Sequence, residues 1–369
     1  EVAGSLAGAF AVNDAGAAVY SIPLEVPPGR AGLAPELTLT YDSDRENGLL
    51  GMGFRLDGLS AIRRCGHNYS DEGDLRAVAY DAADRFCLDG RKLFAVRGAD
   101  GRDGAEYRTD PDVFTRVTAQ GDAGGGPLSF LAFARDGRLY EYGTDAEARV
   151  AVANGTVATW SLRRVRDRLG NVMTYDYEAV PTADGAHQHR VTAIRYTGHT
   201  SGLAPERAVE FAYDARWDVL TQYVAGEAFR VGELLTGLRA YGPGHVPVRD
   251  YAFAYSESPS TQRARLRSVQ ACAGEGPARA CLPPTVFGWG DAPAGFSPDV
   301  VHGSTPQAPA PGFSRLAAVR TGDFNGDGTD DVAYLLDRFV PPGQPVPQAL
   351  YVKYNYANPA SSAPPVLVF

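Results

Sequence analysis

Short segments in which apolar and polar residues alternate recur along the whole chain, and glycine or proline separates most of them. The first two, residues 17–24 and 37–41, flank the turn-rich stretch Pro27-Pro28-Gly29. Side chains that alternate with a period of two point to opposite faces of a strand, so both segments predict strands. Asn47-Gly48 predicts a tight turn before a further apolar segment at 49–54.

Tyrosine marks the strands predicted in the middle of the chain. Tyr140 and Tyr142 alternate with polar residues, and Tyr175 and Tyr177 do the same further on. The alternation places the rings of each pair on one face. Stacking on bases or sugars would also use aromatic rings, but the acidic balance of the chain favours packing in a core. Looser copies of the pattern extend to residue 255 and predict one continuous sheet.

Breaker residues are too frequent for long helices. The 369 residues include 42 glycines and 26 prolines, and both residue types interrupt helices. The predicted fold class is all-β: a large, curved, multi-stranded and mostly antiparallel sheet or sandwich, followed by an incomplete β-propeller blade. An Ala- and Pro-rich linker at 293–312 divides a β domain at 1–292 from the truncated blade at 313–369.

The charge balance argues against a nucleic-acid partner. The formal net charge at pH 7 is −9, whereas phosphate binding needs clustered Lys and Arg. The local exception is the basic run Arg163, Arg164, Arg166 and Arg168, whose spacing predicts a solvated strand face. No apolar stretch approaches the roughly 20 residues of a membrane-spanning helix, and a start without an initiator methionine indicates a processed or trimmed N-terminus.

The four cysteines fall into two local pairs, Cys65 with Cys87 and Cys272 with Cys281. Neither pair has the CxxC spacing of a zinc or redox site. We expect two local disulfides, each stabilising the fold by about 2–3 kcal/mol through a restricted unfolded state. Disulfides suit a secreted protein; four buried thiols in a cytosolic protein are the alternative.

One motif points to a specific chemistry, the oxygen-rich loop at 323–331. Side-chain oxygens at alternate positions, with glycines where the backbone turns sharply, allow a short loop to wrap a hard cation. The pattern predicts one Ca2+ site. Its predicted ligands are the side chains of Asp323, Asn325, Asp327 and Asp331 and the carbonyl of Thr329.

Two other structures compete for the same loop. An EF-hand does not fit, because Tyr334 stands where that motif has a bidentate Glu and strand-like segments flank the loop. A metal-free turn closed by Asp and Asn side chains is the alternative to a calcium site. In the calcium site we expect the Asp330 side chain to point outward.

Signatures of common enzymes are absent from the sequence. It contains no GxSxG elbow, HExxH helix, P-loop or GxGxxG turn. His187-Gln188-His189 has no nearby cysteine or paired carboxylate, so we expect solvent exposure rather than a metal. Gly124-Gly125-Gly126 precedes a proline instead of a helix, so we expect a hairpin tip rather than a phosphate cradle. We therefore predict no catalytic residues and no enzymatic activity.

Several segments together resemble the SpvB N-terminal domain family, over residues 8–290. The segments that carry the resemblance are 16–24 with Pro27-Pro28-Gly29, 37–43, 47–54, 62–65, 84–90 and 281–284. The loop at 323–331 in turn resembles an FG-GAP or VCBS repeat, the blade unit of integrin-like propellers. The order of the two elements strengthens the resemblance.

Members of this family include B components of insecticidal toxin complexes and Rhs or YD-repeat proteins, in which the domain forms part of a β-sheet shell around a toxic payload. The resemblance therefore implies a non-enzymatic structural module of a secreted bacterial protein. Its implied partners are a downstream Rhs/YD-repeat shell and toxin payload, with a pore-forming toxin-complex component or a host receptor. Some members continue into an ADP-ribosyltransferase with a Glu-x-Glu pair; here no two glutamates are separated by one residue.

Two other function classes stay open. A calcium-dependent cell-surface adhesion or glycan-binding module would use the blade for contact, and chelator-sensitive binding would distinguish it. A hydrolase with an unrecognised pair of carboxylates would show turnover in a broad substrate screen. A structural module would show neither.

Asp327→Ala should abolish calcium binding, because the central carboxylate of the loop supplies one of its charged ligands. Isothermal titration calorimetry would show calcium uptake by the parent chain and none by the variant. Asp330→Ala is the matched control, since that side chain is expected to point outward. Unchanged calcium uptake in Asp327→Ala would contradict the assignment.

Overall fold

Antiparallel strands form nearly all of the regular structure of the chain. The computed structural model describes residues 4–290, 313–322, 324, 331–338, 348–353 and 366–367. Within them the all-β prediction, with its large antiparallel sheet, is confirmed, and no helix is long and apolar enough to cross a membrane. The chain divides into two compact units, Glu1–Pro293 and Ala294–Phe369. The predicted linker at 293–312 lies outside the described residues.

The N-terminal segment contains two small sheets. Its strands are β1 (Ala9–Val12), β2 (Ala18–Leu24), β3 (Leu37–Asp42), β4 (Asn47–Gly48), β5 (Gly51–Met52) and β6 (Phe54–Asp57). They pair in the orders β1-β2-β3-β6 and β4-β5. Ile22 lies opposite Leu39, and Leu24 opposite Leu37, with all four side chains buried. The predicted alternation therefore gives this sheet one apolar face.

The tight turn falls two residues beyond the predicted one. Asn47 and Gly48 are paired as strand β4, and Leu49 and Leu50 make the connection to β5. The predicted Asn47-Gly48 turn is wrong because tertiary contacts override local preference. Leu50 is fully buried, and Asn47 Nδ2 donates a 2.8 Å hydrogen bond to Asp218.

The next segment contains a series of short strands and one helical turn. They are β7 (Ala61–Cys65), α1 (Tyr69–Glu72), β8 (Arg85–Leu88), β9 (Arg91–Arg97), β10 (Glu106–Asp110), β11 (Arg116–Gln120), β12 (Ser129–Phe133), β13 (Leu139–Tyr142), β14 (Arg149–Ala151) and β15 (Val157–Arg166). Each strand from β7 to β13 pairs with the next. Asn68 caps α1 by accepting the backbone N–H of Asp71 at 2.9 Å.

Strand β15 closes this series into a barrel. The backbone N–H of Ser161 donates to the carbonyl of Ala148, and the carbonyl of Ser161 accepts the N–H of Gly143. Strands β13 and β14 therefore lie along one edge of β15. Its other edge pairs with β7, where Trp160 lies opposite Ile62. The pairing thus runs from β7 through β13 to β15 and back to β7.

Aromatic rings fill the interior of the barrel. Phe86, Phe130 and Trp160 meet edge to face, with ring centroids 5.0–5.5 Å apart. Trp160 is fully buried, and its indole N–H donates to the carbonyl of Pro127 at 3.1 Å. Edge-to-face contact between rings adds to the free energy gained by burying their area.

Longer strands extend the sheet beyond the barrel. They are β16 (Asn171–Ala179), β17 (His189–His199), β18 (Arg207–Val224), β19 (Glu227–Tyr241), β20 (Pro247–Glu257), β21 (Ala264–Ala273), β22 (Ala280–Cys281) and β23 (Thr285–Val286), with 3-10 turns at Pro243–His245 and Gly276–Ala278. β16 starts from the C-terminal half of β15. The predicted alternation is confirmed in β16, where Tyr175 and Tyr177 are buried, whereas in β13 Tyr142 is buried and Tyr140 is half-buried.

The N-terminal segment packs on this extended sheet through backbone acceptors. Tyr196 Oη donates to the carbonyl of Pro27 at 2.8 Å, and Tyr251 Oη donates to that of Glu25 at 3.1 Å. Apolar side chains of both parts, including Leu39, belong to one continuous core. The tyrosine rings therefore fill the core while their hydroxyl groups remain hydrogen-bonded.

A polar cluster fixes the long β18–β19 hairpin. The strand register is interrupted between Ala215 and Leu220, and the Arg216 side chain there is fully buried. Its guanidinium donates to Asp218 Oδ1 at 2.9 Å, to the carbonyl of Gly48 at 2.9 Å and to Asn47 Oδ1 at 2.9 Å. One buried cation thus connects the hairpin to β4.

Asp218 completes this cluster from the other side. It accepts hydrogen bonds from the backbone N–H of Ala264 at 2.7 Å and from Asn47 Nδ2 at 2.8 Å. Partial burial raises the pKa of Asp218, but these bonds and the adjacent Arg216 outweigh that effect and hold the pKa below its usual value. The ionised carboxylate is therefore the form that stabilises the fold.

The C-terminal unit has its own four-stranded antiparallel sheet. Its strands are β24 (Phe313–Gly322), β25 (Asp331–Arg338), β26 (Gln348–Lys353) and β27 (Val366–Leu367), paired in that order. Tyr334 and Tyr351 lie opposite each other on β25 and β26, and their rings stack 5.5 Å apart. This pair and Leu336 form a small separate core.

Trp160→Ala should lower the free energy of unfolding by about 3–5 kcal/mol. The substitution leaves a cavity among the packed aromatic rings of the barrel, and these rings cannot move to fill it. Urea denaturation followed by circular dichroism would measure the loss. Trp217→Ala is the control, since Trp217 is 49% exposed, and should cost about 1 kcal/mol or less. Equal losses of unfolding free energy in the two variants would contradict the placement of Trp160 in the barrel core.

Asp218→Asn should cost about 3 kcal/mol at pH 7, because it leaves the buried Arg216 without its countercharge. A carboxylate whose folded pKa is depressed stabilises the protein above its unfolded pKa of about 3.9 and loses that effect as pH falls. The difference from the parent should therefore shrink as pH falls from 5 towards 3 in denaturant titrations. Asp214→Asn, at an exposed aspartate of the same strand, is the control; a pH-independent difference for Asp218→Asn would refute the assignment.

Candidate functional site

The predicted calcium loop lies largely outside the described residues. These omit Asp323, Asn325, Asp327 and Thr329, whereas Asp331 is described as the first residue of β25. The Asp331 carboxylate is fully buried and accepts the backbone N–H of Phe324 at 3.0 Å. A buried carboxylate at the base of the loop fits an oxygen-ligand cation site. The calcium site stays a prediction.

Both predicted disulfides are present. Cys65 is bonded to Cys87 and joins β7 to β8, whereas Cys272 is bonded to Cys281 and joins β21 to β22. The described residues contain no free cysteine. Each disulfide therefore links two neighbouring strands of the large sheet.

The sequence did not identify Arg64 as the centre of a buried site at one end of the barrel. Its side chain is 2% exposed. Nε donates to the carbonyl of Val157 at 2.7 Å, Nη1 to that of Asp81 at 2.8 Å and Nη2 to that of Gly125 at 2.8 Å. Burial lowers the pKa of Arg64, and the nearby Asp84 opposes that shift. The guanidinium thus bonds to three chain segments and stays charged.

Asp84 is the countercharge of this site and is fully buried as well. It lies 3.3 Å from Arg64 Nη1 and 3.1 Å from Arg76 Nη1. It also accepts the backbone N–H groups of Ala79 at 2.9 Å and Asp81 at 3.3 Å. Because these bonds occupy both carboxylate oxygens, the arrangement suits a structural role rather than proton transfer.

The glycine run is a hairpin tip, as predicted, and it also makes room for Arg64. It lies in the connection between β11 and β12. A Cβ atom on Gly126 would lie 2.7 Å from Arg64 Nη2. On the other side, the guanidinium lies over the rings of Phe86 at 5.5 Å and Trp160 at 5.6 Å. The glycine run is itself a sequence signal for this site, because glycine is favoured where other groups approach the backbone closely.

The expected solvent exposure of His187-Gln188-His189 is wrong. His187 Nε2 lies 2.9 Å from a carboxylate oxygen of Glu227, and both side chains are 23% exposed. The His189 ring stacks on Tyr177 at 5.0 Å, and its Nε2 lies 2.7 Å from the carbonyl oxygen of Glu147. Burial lowers the pKa of His189 and outweighs the opposing effect of that hydrogen bond. The segment therefore anchors the tip of the β18–β19 hairpin.

The predicted basic face is confirmed in part. Arg164 and Arg166 are exposed on β15, whereas Arg163 is half-buried and bonds to Asp145 at 2.5 Å and Asp176 at 2.7 Å. A bulge at this point interrupts the pairing with β13. The exposed arginines line a groove of about 350 Å³ on the outer side of the sheet.

The described residues do not bring His, Cys, Asp or Glu side chains together in a group of three that could hold a metal ion. Their buried charges are instead used within the fold, at Arg64 with Asp84 and at Arg216 with Asp218. Each of these ion pairs thus connects segments of the chain to one another.

Solved structures with similar folds come from toxin proteins. The crystal structure of TcdB2-TccC3 is 20% identical with a TM-score of 0.70, over 93% of this chain and 20% of that chain. The Photorhabdus luminescens Tc holotoxin pore is 19% identical with a TM-score of 0.67, over 94% and 19%. The N-terminal domain of effector protein SpvB from Salmonella typhimurium strain LT2 is 19% identical with a TM-score of 0.56, over 69% and 99%.

These likenesses establish the fold, and the chain spans about a fifth of the length of the toxin-complex chains. No curated protein sequence matches it. The family model described as Salmonella virulence plasmid 65kDa B protein, or SpvB, matches residues 12–201, just over half of the chain. The chain therefore belongs to the SpvB family.

Proposed function

We propose that this chain is a non-enzymatic structural module of a secreted toxin-complex or Rhs-type protein. Its sheet forms part of a β shell that encloses a toxic payload, and downstream Rhs/YD repeats continue the shell. The observation that carries the proposal is the extended antiparallel sheet. The fold is similar to that of TcdB2-TccC3 over 93% of this chain. Membership of the SpvB family supports the same role.

The use of buried polar groups favours a scaffold over an enzyme. In the described part of the chain, Arg230 Nε and Tyr334 Oη are the buried side-chain polar atoms without a hydrogen-bond partner. Catalysis needs groups that are free to contact a substrate, whereas Arg64 and Arg216 direct their donors at the chain itself. Such fully bonded charges fix one arrangement of the strands.

The C-terminal unit extends the proposal to a docking element. Its antiparallel sheet and the buried Asp331 at the base of the 323–331 loop are consistent with the start of a calcium-bearing FG-GAP or VCBS propeller blade. In this role the completed propeller contacts a pore-forming toxin-complex component or a host receptor. Calcium holds the loop and does not act in chemistry.

The shell role can be tested by protease protection of the payload in the complete polypeptide that contains this chain. The payload segment should survive trypsin treatment in the parent and in the Trp217→Ala variant. It should be degraded in Trp160→Ala, which loosens the barrel. A payload equally sensitive in all three proteins would contradict enclosure, and chelator-sensitive binding of the isolated chain to cells would favour adhesion instead.

A further inference from the structure

One row of side chains crosses the outer face of the barrel and continues onto β16. The register places Arg116 opposite Phe133, Phe133 opposite Leu139, Leu139 opposite Arg166 and Arg166 opposite Val172. These five residues are called the arginine strip. Neighbouring strands lie about 4.8 Å apart, so the strip is about 19 Å long.

The cations of the arginine strip have no countercharge. The Arg116 guanidinium lies 4.6 Å above the Phe133 ring, and Arg135 at the rim lies 5.7 Å above the ring of Phe114. Within the described residues, neither of these arginines nor Arg166 forms an ion pair or a side-chain hydrogen bond. The strip is thus a cationic region on a chain of net charge −9.

Further arginines lie beside the strip in the groove on the outer sheet face. Arg164, Thr174 and Arg195 are aligned across β15, β16 and β17 and line this groove. Arg164 lies 3.4 Å from Glu141 and Arg195 lies 2.8 Å from Asp176. These two arginines are already paired, unlike Arg116 and Arg166 of the strip.

Apolar side chains separate the cations. Phe133 is 37% exposed and Phe114 is 66% exposed, and Leu139 and Val172 are half-buried. Phe114 is held outward by a left-handed backbone (φ 61°) and by Asp112, whose carboxylate accepts its N–H at 2.7 Å. Arginine and aromatic residues around an apolar centre are typical of protein–protein interfaces.

We propose that the arginine strip binds an acidic polypeptide segment in extended conformation, laid across the strands. Arg116 and Arg166 are three strand spacings apart, about 14 Å, which equals four residues of an extended chain. Carboxylates at positions i and i+4 would meet these two arginines, and an apolar side chain at i+2 would contact Phe133 and Leu139. The inference goes beyond the shell role, because the strip faces away from the barrel interior.

The aromatic faces favour a polypeptide over an anionic glycan. Sugars would stack on open ring faces, but guanidinium groups already cover one face of the Phe133 and Phe114 rings. The remaining apolar surface at Leu139 and Val172 is aliphatic and suits aliphatic side chains. Carboxylates can also pair with each guanidinium through two hydrogen bonds.

Fluorescence anisotropy of the isolated chain with a labelled peptide tests this proposal. The probe has three repeats of Glu-Ser-Leu-Ser, and a second peptide has Lys in place of Glu. The parent should bind the Glu peptide and not the Lys peptide. The double variant Arg116→Gln/Arg166→Gln should weaken binding at least tenfold.

The matched control is Arg63→Gln/Arg267→Gln, which removes the same charge at two exposed strand arginines outside the strip. It should change the affinity less than twofold. Equal weakening by the two double variants, or no binding of the Glu peptide to the parent, would overturn the proposal. Tighter, strip-dependent binding of heparin would also overturn it, in favour of an anionic glycan. None of these results depends on payload protection, so the shell role is judged separately.

Discussion

The architecture depends on one constraint, that strand β15 pairs with a different strand along each half of its length. Its N-terminal half pairs with β7 and closes the barrel, and its C-terminal half pairs with β16 and starts the long strands. Trp160 lies in the first half and packs inside the barrel. The bulge at Arg163 lies in the second half and turns that side chain towards Asp176. A shift of β15 by one residue would expose its buried face and disrupt its pairing with both β7 and β16.

Two buried cations hold the loops around this strand framework. Arg64 donates hydrogen bonds to backbone carbonyls of three segments at one end of the barrel. Arg216 connects the long hairpin to the N-terminal segment. A buried ion pair adds little net stability over apolar packing, but removing one partner is costly. Such sites therefore favour one arrangement of the strands. Catalysis would instead require that some of these atoms be left for a substrate.

Local patterns predicted the strands, but they did not predict the contacts that fix the connections. The alternation at Tyr175 and Tyr177 and the spacing of Cys65 and Cys87 are short-range features, and both predictions hold. The prediction of a turn at Asn47-Gly48 is wrong because it uses local preference alone, whereas the hydrogen-bond partner of Asn47, Asp218, is distant in sequence. Arg64 was missed for the same reason, since its acceptors come from three separate segments. The calcium site at 323–331 stays a prediction from the spacing of its oxygen side chains.

The central claim is that this sheet is a wall that surrounds another polypeptide. Its fold, its family and its internally bonded charges support that role. Cryo-electron microscopy of the complete polypeptide that contains this chain is the most direct measurement. The account predicts payload density enclosed by a shell that includes strands β7–β21. A shell with an empty interior, or a payload bound outside it, would contradict the account.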